Sequence, residues 1–101
     1  MRFLIEINPS AEVKNESEKR PDFQKKVEEA FERMKPLAAW YSFNRYGFII
    51  VEAESNEELN NKVAPLWHLF KTDFKISPAF SRDEFRKLTA ARGEQAKKYG
   101  Y

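Results

Sequence analysis

The chain has 101 residues, of which 42% are hydrophobic and 34% charged, and its formal net charge is +2. This composition fits one globular domain with a single core and excludes a disordered chain. No apolar run approaches the length of a membrane-spanning helix, and no membrane partner is expected. There is no cysteine, which excludes disulfides and thiolate catalysis. The N-terminal segment has no secretory signal pattern, so we expect a cytoplasmic protein.

Apolar and polar residues alternate over Arg2–Ile7, which predicts the first strand. A polar segment of mixed charge follows, and a flexible loop is predicted at residues 9–21. Pro21 and Asp22 suit the start of a helix, and Pro36 ends it. The apolar residues of this helix recur at helical spacing and indicate core packing: Phe23, Val27, Ala30, Phe31 and Met34.

The middle of the sequence predicts a β-hairpin. Its two strands are Ala38–Phe43 and Tyr46–Ala53, joined by a tight reversal at Asn44 and Arg45. The second of these strands contains an uninterrupted apolar run. Such a run is typical of a strand that is covered on both faces in the middle of a sheet.

A second helix is predicted after the hairpin. Ser55 and Glu58 have the spacing of a capping box, and Pro65 predicts a kink or a break farther along. The apolar stripe of this helix is Leu59, Val63, Leu66, Trp67 and Phe70.

The C-terminal part predicts an edge strand and a short helix. Lys71–Pro78 alternates and carries Lys at exposed positions, as edge strands often do. Ser81 begins a second capping-box pattern, and Gly93 is expected to close that helix. The domain is therefore expected to span residues 1–93, with a tail at 94–101. The residues of the last helix expected to face inward are Phe85, Leu88 and Thr89.

The element order β-α-β-β-α-β, with an added terminal helix, predicts an α+β fold of the split βαβ type. In this fold the strand order is 4-1-3-2, all neighbours are antiparallel, and both helices lie on one face. One register matches the apolar residues of the two central strands, and it also predicts a cross-strand ion pair between Arg2 and Glu52. The other predicted pairs are Phe3 with Val51, Ile5 with Ile49, and Leu4 with Ile50.

The sheet face without helices is also apolar. We call it the helix-free face and define it by Leu4, Trp40, Tyr46, Phe48 and Ile50. Two layers of secondary structure need only one apolar sheet face, and a second one of this size is unfavourable in water. Face-to-face stacking of two copies would bury it in a two-fold homodimer, so the expected partner is the chain itself.

Three segments carry a resemblance to known proteins: Tyr46–Ala53, Ala64–Trp67 and Ile76–Ala79. Over about residues 2–88, the chain resembles the dimeric α/β-barrel superfamily of ferredoxin-like domains. Within it, the chain is similar to an uncharacterised domain-of-unknown-function family of small prokaryotic proteins. The resemblance implies a ferredoxin-like fold and a homodimer, but no established activity. The charged segment after Ser10 and the basic tail depart from the family.

An alternative is single-stranded RNA binding through the helix-free face, because RNA-recognition motifs share this element order. The third-strand signature of those motifs is only half matched around Tyr46–Ile49, and Leu4 stands where an aromatic residue is expected. Glu6 and Glu52 on this face would repel phosphates. Nucleic acid is therefore an unlikely partner, and the basic residues near the C-terminus are interpreted as a solvated helix.

Candidate catalytic residues are few. Members of the superfamily include cofactor-free monooxygenases, isomerases and haem-degrading enzymes, with a cavity between helices and sheet. The haem-degrading members use Asn, Trp and His, and this chain has Asn8, Trp67 and His68. Neighbouring residues on a helix point about 100° apart, so Trp67 and His68 do not share a face. The residue types therefore match those enzymes, but the spacing does not. Tyr41 is a further pocket candidate. His68 is the only histidine of the sequence, so no multi-histidine metal centre is predicted. No cofactor is predicted either. The expected protein is a homodimer of unknown activity, and the alternative is an enzyme or a small-ligand-binding protein.

Overall fold

The structure is a computed structural model that describes residues 1–71 and 74–100, except for the side chains of residues 16–18. It is an α+β fold with a four-stranded antiparallel sheet and four helices in the part of the chain so described. In chain order the elements are β1 (Arg2–Ile7), α1 (Ala11–Lys19), α2 (Phe23–Met34), β2 (Ala38–Tyr41), β3 (Gly47–Glu52), α3 (Asn56–Phe70), β4 (Lys75–Ala79) and α4 (Arg82–Tyr99).

The strands are ordered β2-β3-β1-β4 across the sheet, which is 4-1-3-2 when read from the β4 edge. The predicted register between β1 and β3 is confirmed at every predicted pair, including Leu4 opposite Ile50. Arg2 lies opposite Glu52 as expected, but its side chain forms an ion pair with Glu84 of α4 instead. The predicted ion pair across the strands was therefore wrong, although the register that suggested it was right.

Helices α2 and α3 pack on one face of the sheet and form the core with it. Antiparallel pairing places the alternate residues of β1 and β3 on this face, where they meet the apolar stripes of the two helices. The buried residues of the core cluster are Ile5, Ile7, Ala30, Met34, Ile49, Val51, Val63 and Leu66. Trp67, expected in the α3 stripe, is instead half exposed.

Residues 11–19 form a helix, so the predicted loop was wrong. The Ser10 side chain caps α1 by accepting a hydrogen bond from the Val13 backbone N–H at 3.3 Å. Glu12 in the first turn and Lys19 in the last turn suit the helix dipole. Val13 is buried and fixes α1 against the sandwich.

A kink or a break was predicted at Pro65, and helix α3 continues through this residue, so the break does not occur. Its N-cap is Ser55, as predicted, and the Ser55 hydroxyl accepts from the Glu58 backbone N–H at 3.1 Å. The carboxylate of Glu58 accepts from the Glu54 backbone N–H rather than from that of Ser55. Lys71 ends the helix in a left-handed conformation, with φ of 49°.

Helix α4 is longer than predicted. It passes through Gly93 without interruption and ends at Gly100, which has a φ of 76°. The capping box of Ser81 and Glu84 is confirmed. None of its residues is buried, and Phe85 and Thr89, expected to face inward, are exposed, while Leu88 is half-buried. The helix therefore projects from the body of the domain.

The hairpin and the last strand are shorter than predicted. Strand β2 ends at Tyr41, and the turn is closed by a 2.8 Å hydrogen bond from the Ser42 backbone N–H to the Tyr46 carbonyl. Strand β4 spans Lys75–Ala79, while the predicted strand positions 72 and 73 lie outside the described residues. Strand β4 is at the sheet edge, and Ile76 and Ser77 lie opposite Ile5 and Leu4 on alternate faces.

Candidate functional site

A cavity of about 290 Å³ lies between the helices and the sheet, at the end where β1 finishes and the hairpin turns. Helix α1 closes it on one side and α2 on another. Its lining residues are Ile7, Pro9, Val13, Lys14, Phe23, Gln24, Val27, Phe31, Tyr41, Arg45, Gly47 and Phe70.

The floor of the cavity is apolar and buried. Ile7 comes from the helix-side face of β1, Val13 from α1 and Phe23 from the first turn of α2, and all three are less than a tenth exposed. Gly47 opens the floor at the start of β3, because a Cβ there would lie 3.5 Å from Tyr41 Cε1 and 3.7 Å from Ile7 Cβ. The lack of a side chain at Gly47 therefore keeps space between Tyr41 and Ile7.

Two aromatic pairs form the walls. Phe23 and Phe70 meet edge to face, with ring centroids 5.7 Å apart. Phe31 and Tyr41 have centroids 6.3 Å apart. These separations are typical of favourable aromatic contacts, which hold the helices α2 and α3 and the end of β2 in place around the cavity.

The rim is polar and basic. Gln24 and Arg45 are exposed, and Lys14 is half-buried. The Arg45 guanidinium Nη1 donates a 2.8 Å hydrogen bond to the Lys14 backbone carbonyl, which joins the hairpin turn to α1. Two positively charged side chains from distant parts of the sequence are thus brought to one opening.

Tyr41 connects the wall to the rim. Its ring contacts Phe31, while much of its side chain is exposed. Partial burial raises the pKa of the Tyr41 phenol above its ordinary value. The hydroxyl therefore stays protonated at neutral pH, where it can donate a hydrogen bond but cannot act as a resident base.

The other candidate catalytic residues do not meet at this cavity. Trp67 and His68 lie side by side near the end of α3, with ring centroids 5.5 Å apart, and both are exposed. Neither is among the described residues that line the cavity, and the same holds for Asn8. Of the three candidates, His68, Trp67 and Tyr41, only Tyr41 has a cavity position.

Val13, Lys14 and Arg45 were missed as site residues by the sequence reasoning. Segment 11–20 has too few apolar residues to produce a helical stripe, and Arg45 was interpreted as a turn residue only. Ser10 as an N-cap, with Glu12 two positions later, was the available signal for α1.

The helix-free face is the second candidate surface. Leu4, Phe48 and Ile50 are partly exposed on it, and Trp40 is 59% exposed. Tyr46 covers part of Phe48, with ring centroids 4.9 Å apart. At the β4 side of this face the Lys75 ammonium and the Glu6 carboxylate are 3.7 Å apart. The face is thus apolar at its centre and charged towards β4.

Within residues 1–71 and 74–100, leaving aside the side chains of residues 16–18, no three side chains of the types that bind metals come together. None of the described helices is both long and apolar enough to cross a lipid bilayer. A family described as Domain of unknown function (DUF3303) matches residues 1–93. Comparison with curated proteins finds no match.

Proposed function

The chain belongs to the DUF3303 family, and we propose that it binds a small, mainly apolar organic molecule in the cavity between its helices and sheet. The observation that carries the proposal is the combination of a buried apolar floor with a polar rim. Ligand sites are typically concave and lined mainly by apolar and aromatic side chains, with a few polar groups that orient the ligand. At about 290 Å³ the cavity lies just below the usual range for such sites, which is about 300 to 1,000 Å³.

Packing energetics supports the proposal. Interiors of small domains are close-packed, so unfilled space of this size next to the core is uncommon. Here Gly47 occupies a floor position where a methyl group would make ordinary contacts with Tyr41 and Ile7. Space that stays open although a larger residue would fit there is more typical of a ligand-binding site than of a purely structural core.

The test is a titration of ¹⁵N-labelled protein with naphthalene and indole, followed by amide chemical shifts. We expect shifts at Ile7, Val13 and Gly47 that saturate. Val27→Phe extends a half-buried side chain at the cavity and should abolish them. Leu59→Phe makes a similar enlargement on α3 away from the lining and should not. Absence of shifts in the wild type, or shifts that persist in folded Val27→Phe, would contradict the proposal.

A second proposal concerns assembly. We infer a homodimer of ferredoxin-like protomers, as in the dimeric α/β barrels, formed through the helix-free face. Trp40 at 59% exposure, next to the partly exposed Phe48, is the specific observation that favours it. Contiguous apolar surface of this kind often marks a protein interface. RNA binding is less well supported because Glu6 lies on the same face.

A further inference from the structure

Tyr41 is a lining residue that carries a hydroxyl beside the open floor of the cavity. Its ring lies against the space that Gly47 leaves open, since a Cβ at Gly47 would be 3.5 Å from Tyr41 Cε1 and 3.6 Å from Tyr41 Cδ1. Cε1 is bonded to the ring carbon that bears the hydroxyl. The ring also contacts Phe31, with centroids 6.3 Å apart. The hydroxyl therefore lies next to the open space, on a ring that its neighbours hold in place.

Within the part of the chain that the structure describes, no residue forms a hydrogen bond with the Tyr41 hydroxyl. The turn that follows satisfies its polar groups through Ser42 instead, whose hydroxyl accepts from the Tyr46 backbone N–H at 3.1 Å. Tyr41 is also 61% exposed, so a molecule that enters from the rim can reach its hydroxyl. A ligand can therefore bond to this group without breaking a hydrogen bond between described residues.

The chemistry of a phenol makes this group a hydrogen-bond donor. Burial raises the pKa of the Tyr41 phenol above its ordinary value, so the hydroxyl keeps its proton at neutral pH. A protonated phenol donates a hydrogen bond more strongly than it accepts one, because the ring withdraws electron density from the oxygen. The complementary group on a ligand is therefore an acceptor, an oxygen or a nitrogen with a lone pair.

The surroundings favour an acceptor without charge. Ile7, Val13 and Phe23 form a buried apolar floor, where a charged group would lose its hydration without compensation. An uncharged acceptor also needs no free cation at the rim, where Lys14 and Arg45 have other contacts. An apolar body on the floor and one neutral acceptor near the phenol match both zones of the cavity.

We propose that the ligand of this cavity carries an uncharged hydrogen-bond acceptor, such as a ketone, ester or ether oxygen, and that the Tyr41 hydroxyl donates to it. This inference rests on the proposed ligand-binding function and specifies the chemical class of the ligand. Binding exchanges a hydrogen bond with water for one with the ligand, so the acceptor contributes about fivefold in affinity. The apolar floor supplies the rest through burial of the body of the ligand.

Two substitutions that each remove one phenolic hydroxyl provide the test. Tyr41→Phe keeps the ring against Phe31 and Gly47 and breaks no hydrogen bond between described residues, so the variant should fold. Tyr99 lies at the end of α4, is 63% exposed and is outside the described lining of the cavity. Tyr99→Phe is thus a matched control, with the same chemical change at a side chain of similar exposure.

The experiment compares each ketone with the hydrocarbon of nearly the same shape: 1-indanone with indane, and 1-tetralone with tetralin. Dissociation constants come from amide chemical shifts of the labelled protein at neutral pH. Ketones are better hydrated than hydrocarbons, so the informative quantity is the change in the ratio of ketone to hydrocarbon affinity between proteins. We expect Tyr41→Phe to bind the ketones about fivefold more weakly than the wild type and the hydrocarbons equally well. Tyr99→Phe should match the wild type for all four compounds.

The two proposals fail in different ways. If the compounds shift the lining amides but the affinity ratio is the same in the wild type and Tyr41→Phe, ligand binding stands and the acceptor class is overturned. An equal loss of ketone affinity in Tyr99→Phe also overturns it, because the effect would then not come from the hydroxyl at the cavity. If none of the four compounds shifts the lining amides of the wild type, both the class and the proposed ligand-binding function are overturned.

Discussion

Tyr41 lies at the junction of the aromatic wall and the basic rim, and its ionisation reports on that environment. Burial raises its pKa above the ordinary 10.0. The unfolded chain therefore loses this proton at lower pH than the folded chain, and stability falls as pH rises through and beyond about pH 10. We expect the free energy of unfolding of the wild type to decrease more steeply there than that of Tyr41→Phe, measured by urea denaturation at a series of pH values. Parallel slopes in the two proteins would contradict the assigned environment.

Glu58 gives the opposite pH dependence. The hydrogen bond from the Glu54 backbone N–H, with a smaller effect from Lys62, lowers the pKa of this carboxyl below its ordinary 4.5. A lowered pKa stabilises the folded state above the ordinary pKa, and this contribution is lost as pH falls through the folded value. Glu58→Gln should therefore be less stable than the wild type at pH 7, with a difference that shrinks in acid. A difference of the same size at pH 7 and in acid would contradict this role of the Glu58 carboxylate.

At the scale of elements, helix α1 closes one side of the cavity, and the Ser10 side chain caps the N-terminus of this helix. Ser10→Ala removes the acceptor for the Val13 N–H and should destabilise the helix by about 1 kcal/mol. We expect faster amide exchange in α1 and weaker binding of naphthalene. Ser81→Ala removes the equivalent cap from α4, which is remote from the cavity lining, and should leave that affinity unchanged. Equal affinity in Ser10→Ala and the wild type would show that α1 does not control the site.

The elements that were predictable from sequence are those whose side chains meet in the core. Alternation in β1 and β3 specified a register, because a shift of one residue would move Ile5 and Ile49 away from the core face. Helix α1 was not predictable from periodicity, since Val13 is its one buried residue among those described. The length of helix α4 was underestimated, because Gly93 was expected to end it. A glycine inside a helix costs about 1 kcal/mol of stability, and the strong helix formers around Gly93 offset this cost. A cavity between helices and sheet was expected from the resemblance, but the part of it formed by α1 and the Arg45 turn was missed.

At the scale of the whole molecule, the shape is extended for a chain of this length. The radius of gyration is 17.2 Å and the longest dimension 57 Å, whereas a compact domain of 100 residues has a radius of about 13 Å. Helix α4 accounts for this, since 18 residues span about 27 Å and none of them is buried. Its first turn is tied to the helix-free face by the pair of Glu84 and Arg2. The apolar face is the surface through which the proposed homodimer would form.

The proposed assembly is tested by measuring the molar mass of the protein in solution by sedimentation. Phe48 lies on β3 at the centre of the helix-free face, so Phe48→Glu would place a charge in the stacked interface, where an unpaired charge is costly. We expect the wild type to sediment as a dimer at micromolar concentration and Phe48→Glu as a folded monomer. Phe43→Glu introduces the same charge at a fully exposed aromatic residue of the hairpin turn and should remain dimeric. A monomeric wild type, or a folded and dimeric Phe48→Glu variant, would contradict the stacked sheets. The first result would favour RNA binding, which fluorescence anisotropy of a labelled oligoribonucleotide would then measure.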